Sequence, residues 1–136
     1  MKIKTKIIEK NYERCQFLAE ELSNTLVING DGTNLKLLDD EEIGACDAVI
    51  SVTNNDERNL LCSLLAKQLG VKRVIARVAK VLNIPLFEKV GIDVAISAKN
   101  SALIPWATRA WTASWKPSAS TVTRSAHIVG LVRSKL

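Results

Sequence analysis

Short runs of apolar, often β-branched residues alternate with amphipathic stretches, and this alternation constrains the fold more than any other feature of the chain. The apolar runs lie at 3–8, 25–28, 48–52, 74–78 and 94–97. Strands that are apolar along their whole length are typical of a parallel sheet covered on both faces. The amphipathic stretches between them supply the helical crossovers. The pattern therefore predicts an α/β fold with a doubly wound parallel sheet.

The stretches between these runs carry helical periodicity. The clearest helix has an apolar stripe that ends at Gly70 and consists of Leu60, Leu61, Leu64, Leu65 and Leu69. Asn54 and Glu57 precede the stripe with the spacing of a capping box. Further helices are predicted near 12–22, 35–38 and 84–90, the last closed by Gly91.

Polar or small residues follow four of the predicted strands. They are Glu9, the turn 30–33, Thr53 with Asn54, and Arg77, the last inside the run 74–78. Ligands of doubly wound sheets bind outside the carboxyl ends of the strands. Together these residues offer an acid for ribose hydroxyls, amides and hydroxyls for an adenosine, and a cation for phosphate.

Each candidate also has a purely structural interpretation. Glu9 would be a solvated charge at a strand end, and the turn 30–33 would reverse the chain and cap the next helix. Thr53 and Asn54 would satisfy the first amides of the following helix. Arg77 needs a partner within an apolar run, which would be a carboxylate or a ligand phosphate.

Three motifs together carry a specific resemblance: GDGT at 30–33, TNNDERN at 53–59 and VIARV at 74–78. Over roughly residues 3–102 the chain resembles the nucleotide-binding RCK domain of TrkA-type potassium-uptake regulators, and is most similar to the second of their two such domains. The resemblance implies a Rossmann fold on the cytoplasmic face of a membrane potassium transporter. It also implies binding of NAD(H), or of an adenine nucleotide such as ATP or ADP, to gate transport.

The resemblance assigns roles to individual residues. It implies that Glu9 holds the adenosine ribose and that Asp31 borders the adenine. Thr53 and Asn54 correspond to the pair that lies along the nucleotide, and Arg77 to the arginine of the fifth strand. No catalytic residue and no metal ligand is implied.

The chain departs from the family at its start. It has no strand before residue 3 and no G-x-G-x-x-G turn, whose amides take a pyrophosphate. Because the order 3-2-1-4-5-6 places that first strand in the middle, we expect strands 3–8 and 48–52 to lose their shared neighbour. They would re-pair directly or receive a strand from another chain. We therefore expect weak nucleotide binding, and a homo-oligomer or completion by another RCK chain.

The resemblance stops near residue 102, and we divide the chain into a partial RCK domain at 1–102 and a tail at 103–136. Residues 94–136 carry six basic and no acidic residues, while residues 1–93 have a net charge of −1. The tail is rich in Trp, Ser, Thr and Ala, and lacks helical periodicity. Its composition is typical of a shifted reading frame or an unrelated extension, so we expect it to be irregular, disordered or non-native. Alternatively, its three tryptophans, Trp106, Trp111 and Trp115, stack on bases or insert at a membrane interface.

These observations favour a regulatory subunit over an enzyme. The only histidine, His127, lies in the tail, Tyr12 is the only tyrosine, and a dehydrogenase needs a proton donor beside its hydride site. Alternatives are a non-functional truncated remnant and, less favoured, a nucleic-acid-binding protein acting through the basic tail.

The cysteines and the hydropathy restrict the chain further. Cys15, Cys46 and Cys62 are widely spaced, which favours reduced buried thiols over a disulfide framework or a zinc site. No apolar run approaches the length of a membrane span, and residues 1–10 have no signal-peptide core. We expect a cytoplasmic protein, peripheral to the inner face of the cell membrane, with no direct membrane insertion.

Overall fold

The computed structural model describes residues 4–97 and 125–129, the latter by their backbone. Strands and helices alternate through the first range as the sequence predicts. The strands are β1 (Lys4–Glu9), β2 (Thr25–Asn29), β3 (Ala48–Ser51), β4 (Arg73–Arg77), β5 (Val94–Ile96) and β6 (Ser125–Val129). The helices are α1 (Tyr12–Glu21), α2 (Leu35–Asp40), α3 (Asp56–Gln68) and α4 (Ile84–Lys89), with 3-10 turns at Ile43–Ala45 and Val81–Asn83.

Asparagine side chains begin the first three helices. The Oδ1 of Asn11 accepts a hydrogen bond from the Arg14 amide at 2.9 Å, and Asn34 caps α2. The cap of α3 is Asn55, which accepts from Arg58 N at 2.7 Å. The predicted capping role of Asn54 is therefore wrong by one residue. Because Asn55 satisfies the helix amides, the Asn54 side chain is available to other partners.

Six parallel strands form one sheet in the order β2-β1-β6-β3-β4-β5. The last strand in chain order, β6, lies in the middle. It pairs with β1 over Lys4–Ile8 and with β3 over Ala48–Ser51, and Val129 is in register with both Ile8 and Ser51. The predicted α/β sheet is thus confirmed, and its central position is filled from within the chain.

The expectation that β1 and β3 lose their shared neighbour is therefore wrong for the described residues. Both strands present rows of backbone N–H and C=O groups towards the gap, and buried backbone groups require partners. Residues 125–129 supply them on both sides, so this part of the predicted tail is a strand. Residues 98–124 and 130–136, including the three tryptophans, lie outside the described residues, and the predictions about them stay predictions.

The main core lies between the sheet and helices α2, α3 and α4. Its fully buried side chains include Leu38, Ile43, Val49, Val74, Val78 and Phe87. Gly70 and Gly91 have φ values of 104° and 100° and end α3 and α4, as predicted. All three cysteines are buried, as predicted, and none is paired with another.

The described part of the chain offers neither a metal cluster nor a membrane-spanning helix. Residues 4–97 and 125–129 contain no group of three His, Cys, Asp or Glu side chains that could hold a metal ion. No helix within these residues has the length and apolarity needed to cross a bilayer.

Candidate functional site

A cleft of about 320 Å³ opens at the carboxyl edge of the sheet, beside the residues that end or follow β1, β2 and β3. It is lined by Ile8, Glu9, Lys10, Asn11, Arg14, Gly30, Asp31, Gly32, Thr33, Thr53, Asn54, Arg58 and Cys62. Four of the five predicted site residues, Glu9, Asp31, Thr53 and Asn54, therefore share one cleft. Arg77 does not line it but contacts two of these residues from behind.

Glu9 ends β1 and is half-buried at one wall of the cleft. Its Oε1 accepts a hydrogen bond from the Asn11 amide at 2.7 Å, which fixes the carboxylate beside the start of α1. Its main-chain carbonyl accepts from the amide of Gly30 at 2.9 Å and from Asn29 Nδ2 at 3.0 Å. The Glu9 backbone thus joins the ends of β1 and β2, and the side chain is held rather than freely solvated.

Asp31 uses both carboxylate oxygens within the protein. Its Oδ1 accepts from Thr33 Oγ1 at 2.6 Å and from the Thr33 amide at 2.9 Å. Its Oδ2 lies 3.2 Å from both Lys10 Nζ and Arg58 Nη1. The Thr33 hydroxyl, then the Thr33 amide and the two cations, hold the pKa of Asp31 well below its usual range. The carboxylate is therefore an anion at neutral pH, and it links the β1 and α3 sides of the cleft.

The turn at 30–33 does not cap α2, because Asn34 performs that role. A Cβ on Gly30 would lie too close to Cδ2 of Leu37, so a larger residue at this position requires the Leu37 side chain to shift. The turn therefore serves to bring the Asp31 carboxylate to the cleft while its backbone passes close to α2.

Arg77 ends β4 and is half-buried. Its Nη1 donates to Asn54 Oδ1 at 3.2 Å and to the Thr53 carbonyl at 3.5 Å. The sequence allowed a carboxylate or a ligand phosphate as its partner. Among the described residues, the two oxygens that it contacts belong to an amide side chain and a main-chain carbonyl, and neither is a carboxylate oxygen. The guanidinium consequently places a positive charge behind the Thr53–Asn54 wall of the cleft.

Three residues that build the cleft or its wall escaped the predictions from sequence: Lys10, Arg58 and Asn59. The two cations are the partners of Asp31, and solvent-exposed lysine and arginine side chains carry no distinctive pattern. Asn59 is fully buried and bonded to Thr53 and Arg77. The sequence indicates the burial of Asn59 through helical spacing, because Asn59 shares one face of α3 with the buried residues Cys62, Ser63 and Ala66.

The cleft also contains one thiol, that of Cys62. Burial raises the pKa of Cys62 to about 12, and the charge of Asp31 adds to this effect. The thiol is therefore protonated at neutral pH, and it contributes an apolar surface to the cleft rather than a nucleophile.

Comparison with known proteins settles the family. A profile of the TrkA-N domain matches residues 2–98. The chain belongs to the TrkA-N domain family. This assignment confirms the resemblance that the GDGT, TNNDERN and VIARV motifs indicate. The match ends before β6, so the central strand of this TrkA-N domain comes from outside the matched region.

Relatives and solved structures agree with this assignment. "Trk system potassium uptake protein TrkA homolog 2" of Methanosarcina mazei is 54% identical over 98 residues, covering 72% of this chain and 22% of that protein. The chain thus spans about a fifth of the length of this relative.

Two solved structures share the Rossmann-like fold. The NAD(P)-binding domain of an exopolyphosphatase-related protein from Archaeoglobus fulgidus superposes with a TM-score of 0.64 at 19% identity, covering 82% of this chain and 78% of that one. The GsuK channel bound to NAD gives 0.58 at 21% identity, covering 67% of this chain and 16% of that one. At these identities the likeness concerns the fold alone.

Proposed function

We propose that this TrkA-N chain is a cytoplasmic regulatory component of Trk-type potassium uptake, and that its cleft binds NAD(H) or an adenine nucleotide such as ATP or ADP. The name of the Methanosarcina mazei relative supports the link to potassium uptake. The GsuK channel, a structural neighbour bound to NAD, supports the choice of ligand.

The position of Glu9 carries the nucleotide proposal. Its carboxylate lies in the cleft at the end of β1, one strand from the sheet centre, where ligands of doubly wound sheets bind. An acid at this point accepts hydrogen bonds from the ribose hydroxyls and repels a ribose phosphate. Thr53 and Asn54 line the same cleft just after β3; the polar groups of Thr53 are bonded within the protein, and Asn54 offers its Nδ2 to the rest of the nucleotide.

The same cleft predicts low affinity. The sequence contains no G-x-G-x-x-G turn, whose backbone amides take the pyrophosphate in Rossmann domains. The cations Lys10 and Arg58 already pair with Asp31. A phosphate must therefore compete with this carboxylate, so we expect weak binding, with a Kd above the micromolar range.

Regulation would follow from differential binding. A nucleotide that binds one arrangement of the assembly more tightly than another shifts the population towards it. We propose that a membrane potassium transporter responds to this shift at the cytoplasmic face of the membrane. The chain would act as a homo-oligomer or together with another chain that carries an RCK domain.

A regulatory role is favoured over a dehydrogenase by the groups around the cleft. Tyr12 is exposed on α1 and does not line the cleft, and the Cys62 thiol is protonated at neutral pH. Tyr12 thus lies outside the cleft, and a thiol with a pKa of about 12 is a poor general acid, because proton transfer is most efficient from a group whose pKa lies near the operating pH.

Isothermal titration of the purified chain with NADH, ADP and ATP tests the proposal, after light scattering has shown a folded, defined species. We expect saturable binding, with NADPH weaker than NADH. Glu9→Gln should weaken NADH binding and narrow the difference from NADPH, because the variant loses the charge that favours free ribose hydroxyls. The matched control is Glu21→Gln, which alters an exposed acid at the end of α1.

A folded chain that shows no saturable binding would overturn the proposed function. If the Glu9→Gln and Glu21→Gln variants bind NADH with equal affinity, the conclusion is that the ligand does not bind in this cleft. A micromolar Kd would contradict the expected weakness and indicate that other groups replace the glycine-rich turn.

A further inference from the structure

Asn59 is a buried amide on the inner face of α3, directly behind the cleft. Its side chain is 0% exposed, and it does not belong to the residues that line the cleft. Its Oδ1 accepts from the Thr53 amide at 2.8 Å and from the Thr53 hydroxyl at 2.6 Å. Its Nδ2 donates to the carbonyl of Thr53 at 3.0 Å and to that of Arg77 at 2.8 Å.

These four bonds use the full capacity of the amide, two acceptor and two donor positions. Three of them go to a single residue, Thr53, and bind its N–H, its O–H and its C=O. The fourth binds the last residue of β4. Asn59 therefore fixes the turn that follows β3 and joins it to the end of the neighbouring strand.

The same network reaches the two charged or polar groups beside Thr53. Arg77 Nη1 donates to the Thr53 carbonyl, which Asn59 also binds, and to Asn54 Oδ1. The places of the Thr53 carbonyl, the Asn54 side chain and the guanidinium thus depend on one another. The Thr53 hydroxyl also lies 3.1 Å from the Asn55 carbonyl and 3.3 Å from the Asn55 amide, so the Asn59 side chain and the Asn55 backbone together hold this wall.

We propose that Asn59 is a positioning residue for ligand binding: it holds Thr53, Asn54 and Arg77 in the arrangement that the nucleotide meets, without touching the nucleotide itself. This inference rests on the proposed function. It assigns to Asn59 an effect on affinity that is transmitted through Thr53 and the end of β4, and no effect on the Glu9 wall across the cleft.

The test uses the full chain and NADH, with binding followed by NMR titration. Asn59→Ala should weaken NADH binding by about tenfold or more, because small displacements of positioned groups cost affinity strongly. Ser63→Ala is the matched control. It removes the hydrogen bond from Ser63 Oγ to Ser51 Oγ, and Ser63 is a fully buried side chain on the same helix. Neither serine lines the cleft. Ser63→Ala should leave the affinity unchanged.

A double-mutant cycle separates positioning from a general loss of stability. In a Thr53→Ala background, Asn59→Ala should have a smaller effect on affinity, because one of the four bonds of Asn59, the bond to the Thr53 hydroxyl, is already gone. In a Glu9→Gln background its effect should be undiminished. Unfolding curves identify the folded variants. If Asn59→Ala is unfolded, Asn59→Ser, which keeps a hydroxyl for the Thr53 groups, takes its place.

The outcomes are distinguishable. If the wild-type chain is folded and does not bind NADH, the proposed function and this inference fail together. If the wild type binds and Asn59→Ala matches Ser63→Ala, or if the effect of Asn59→Ala is equal in both backgrounds, the positioning role alone is refuted.

Discussion

Asp56, the first residue of α3, gives the sharpest prediction of stability. The residue is 7% exposed, and its carboxylate accepts hydrogen bonds from the main chain that follows β4. Oδ1 accepts from Ala79 N at 2.7 Å, and Oδ2 accepts from Lys80 N at 3.1 Å and from Asn83 Nδ2 at 3.4 Å. One carboxylate therefore holds the connection between β4 and α4 against the start of α3.

The substitution Asp56→Asn replaces one of the two acceptor oxygens by an NH₂ group. One main-chain N–H loses its acceptor, which costs about 1–3 kcal/mol for a group removed from water. The remaining bond changes from a charge-assisted to a neutral one and loses about half its strength. Together these effects should lower the free energy of unfolding by about 2–4 kcal/mol, a large share of the total for such a domain.

Urea unfolding followed by far-UV circular dichroism measures this change. Glu57→Gln is the matched control, since Glu57 is the neighbouring acid in the same first turn and is exposed. It loses a similar interaction with the helix dipole, worth about 0.3–1 kcal/mol, without loss of these main-chain bonds. If Asp56→Asn lies within about 0.5 kcal/mol of Glu57→Gln, the reasoning about the buried amides is refuted.

Two further predictions concern pH and the central strand. Because the folded state lowers the pKa of Asp31, its carboxylate contributes stability that is fully present above about pH 4 and is lost as the pH falls towards the folded value. Asp31→Asn should thus reduce the loss of stability below about pH 4. The control Asp39→Asn, at an exposed position of α2, should not reduce it. Equal plots of unfolding free energy against pH for the two variants would contradict the lowered pKa of Asp31. The substitution Ile128→Pro removes a main-chain N–H from β6, which lies between β1 and β3. It should lower the urea concentration at the midpoint of unfolding. An unchanged midpoint would show that β6 does not contribute to the stable sheet.

Most of the fold was predictable because local patterns specify it. The apolar runs locate β1 to β5, because a strand buried on both faces of a parallel sheet is apolar along its length. The leucine stripes locate the helices that cover those faces. The first and last residues of the helices were harder to predict, and the α3 cap shows this, because it is Asn55 and not the predicted Asn54. Both asparagines are suitable caps, and only the path of the backbone selects one.

The candidate site was predictable to the extent that topology places it. Residues that follow parallel strands meet at one edge of the sheet, so Glu9, Asp31, Thr53 and Asn54 could be grouped from their positions alone. Their partners could not. The pairing of Asp31 with Lys10 and Arg58 joins residues that are 21 and 27 positions apart, and nothing in the local sequence encodes such distances.

By itself, then, the sequence determined the fold class, the family motifs and the edge of the sheet at which a ligand would bind, because these depend on local periodicity and on the rules of strand connection. Only the tertiary structure decided that Asn59 holds Thr53 and Arg77 together, and that residues 125–129 occupy the centre of the sheet. The physical reason is the same in both cases. Buried hydrogen-bonding groups must find partners, and which distant groups satisfy them is known only when the chain is folded.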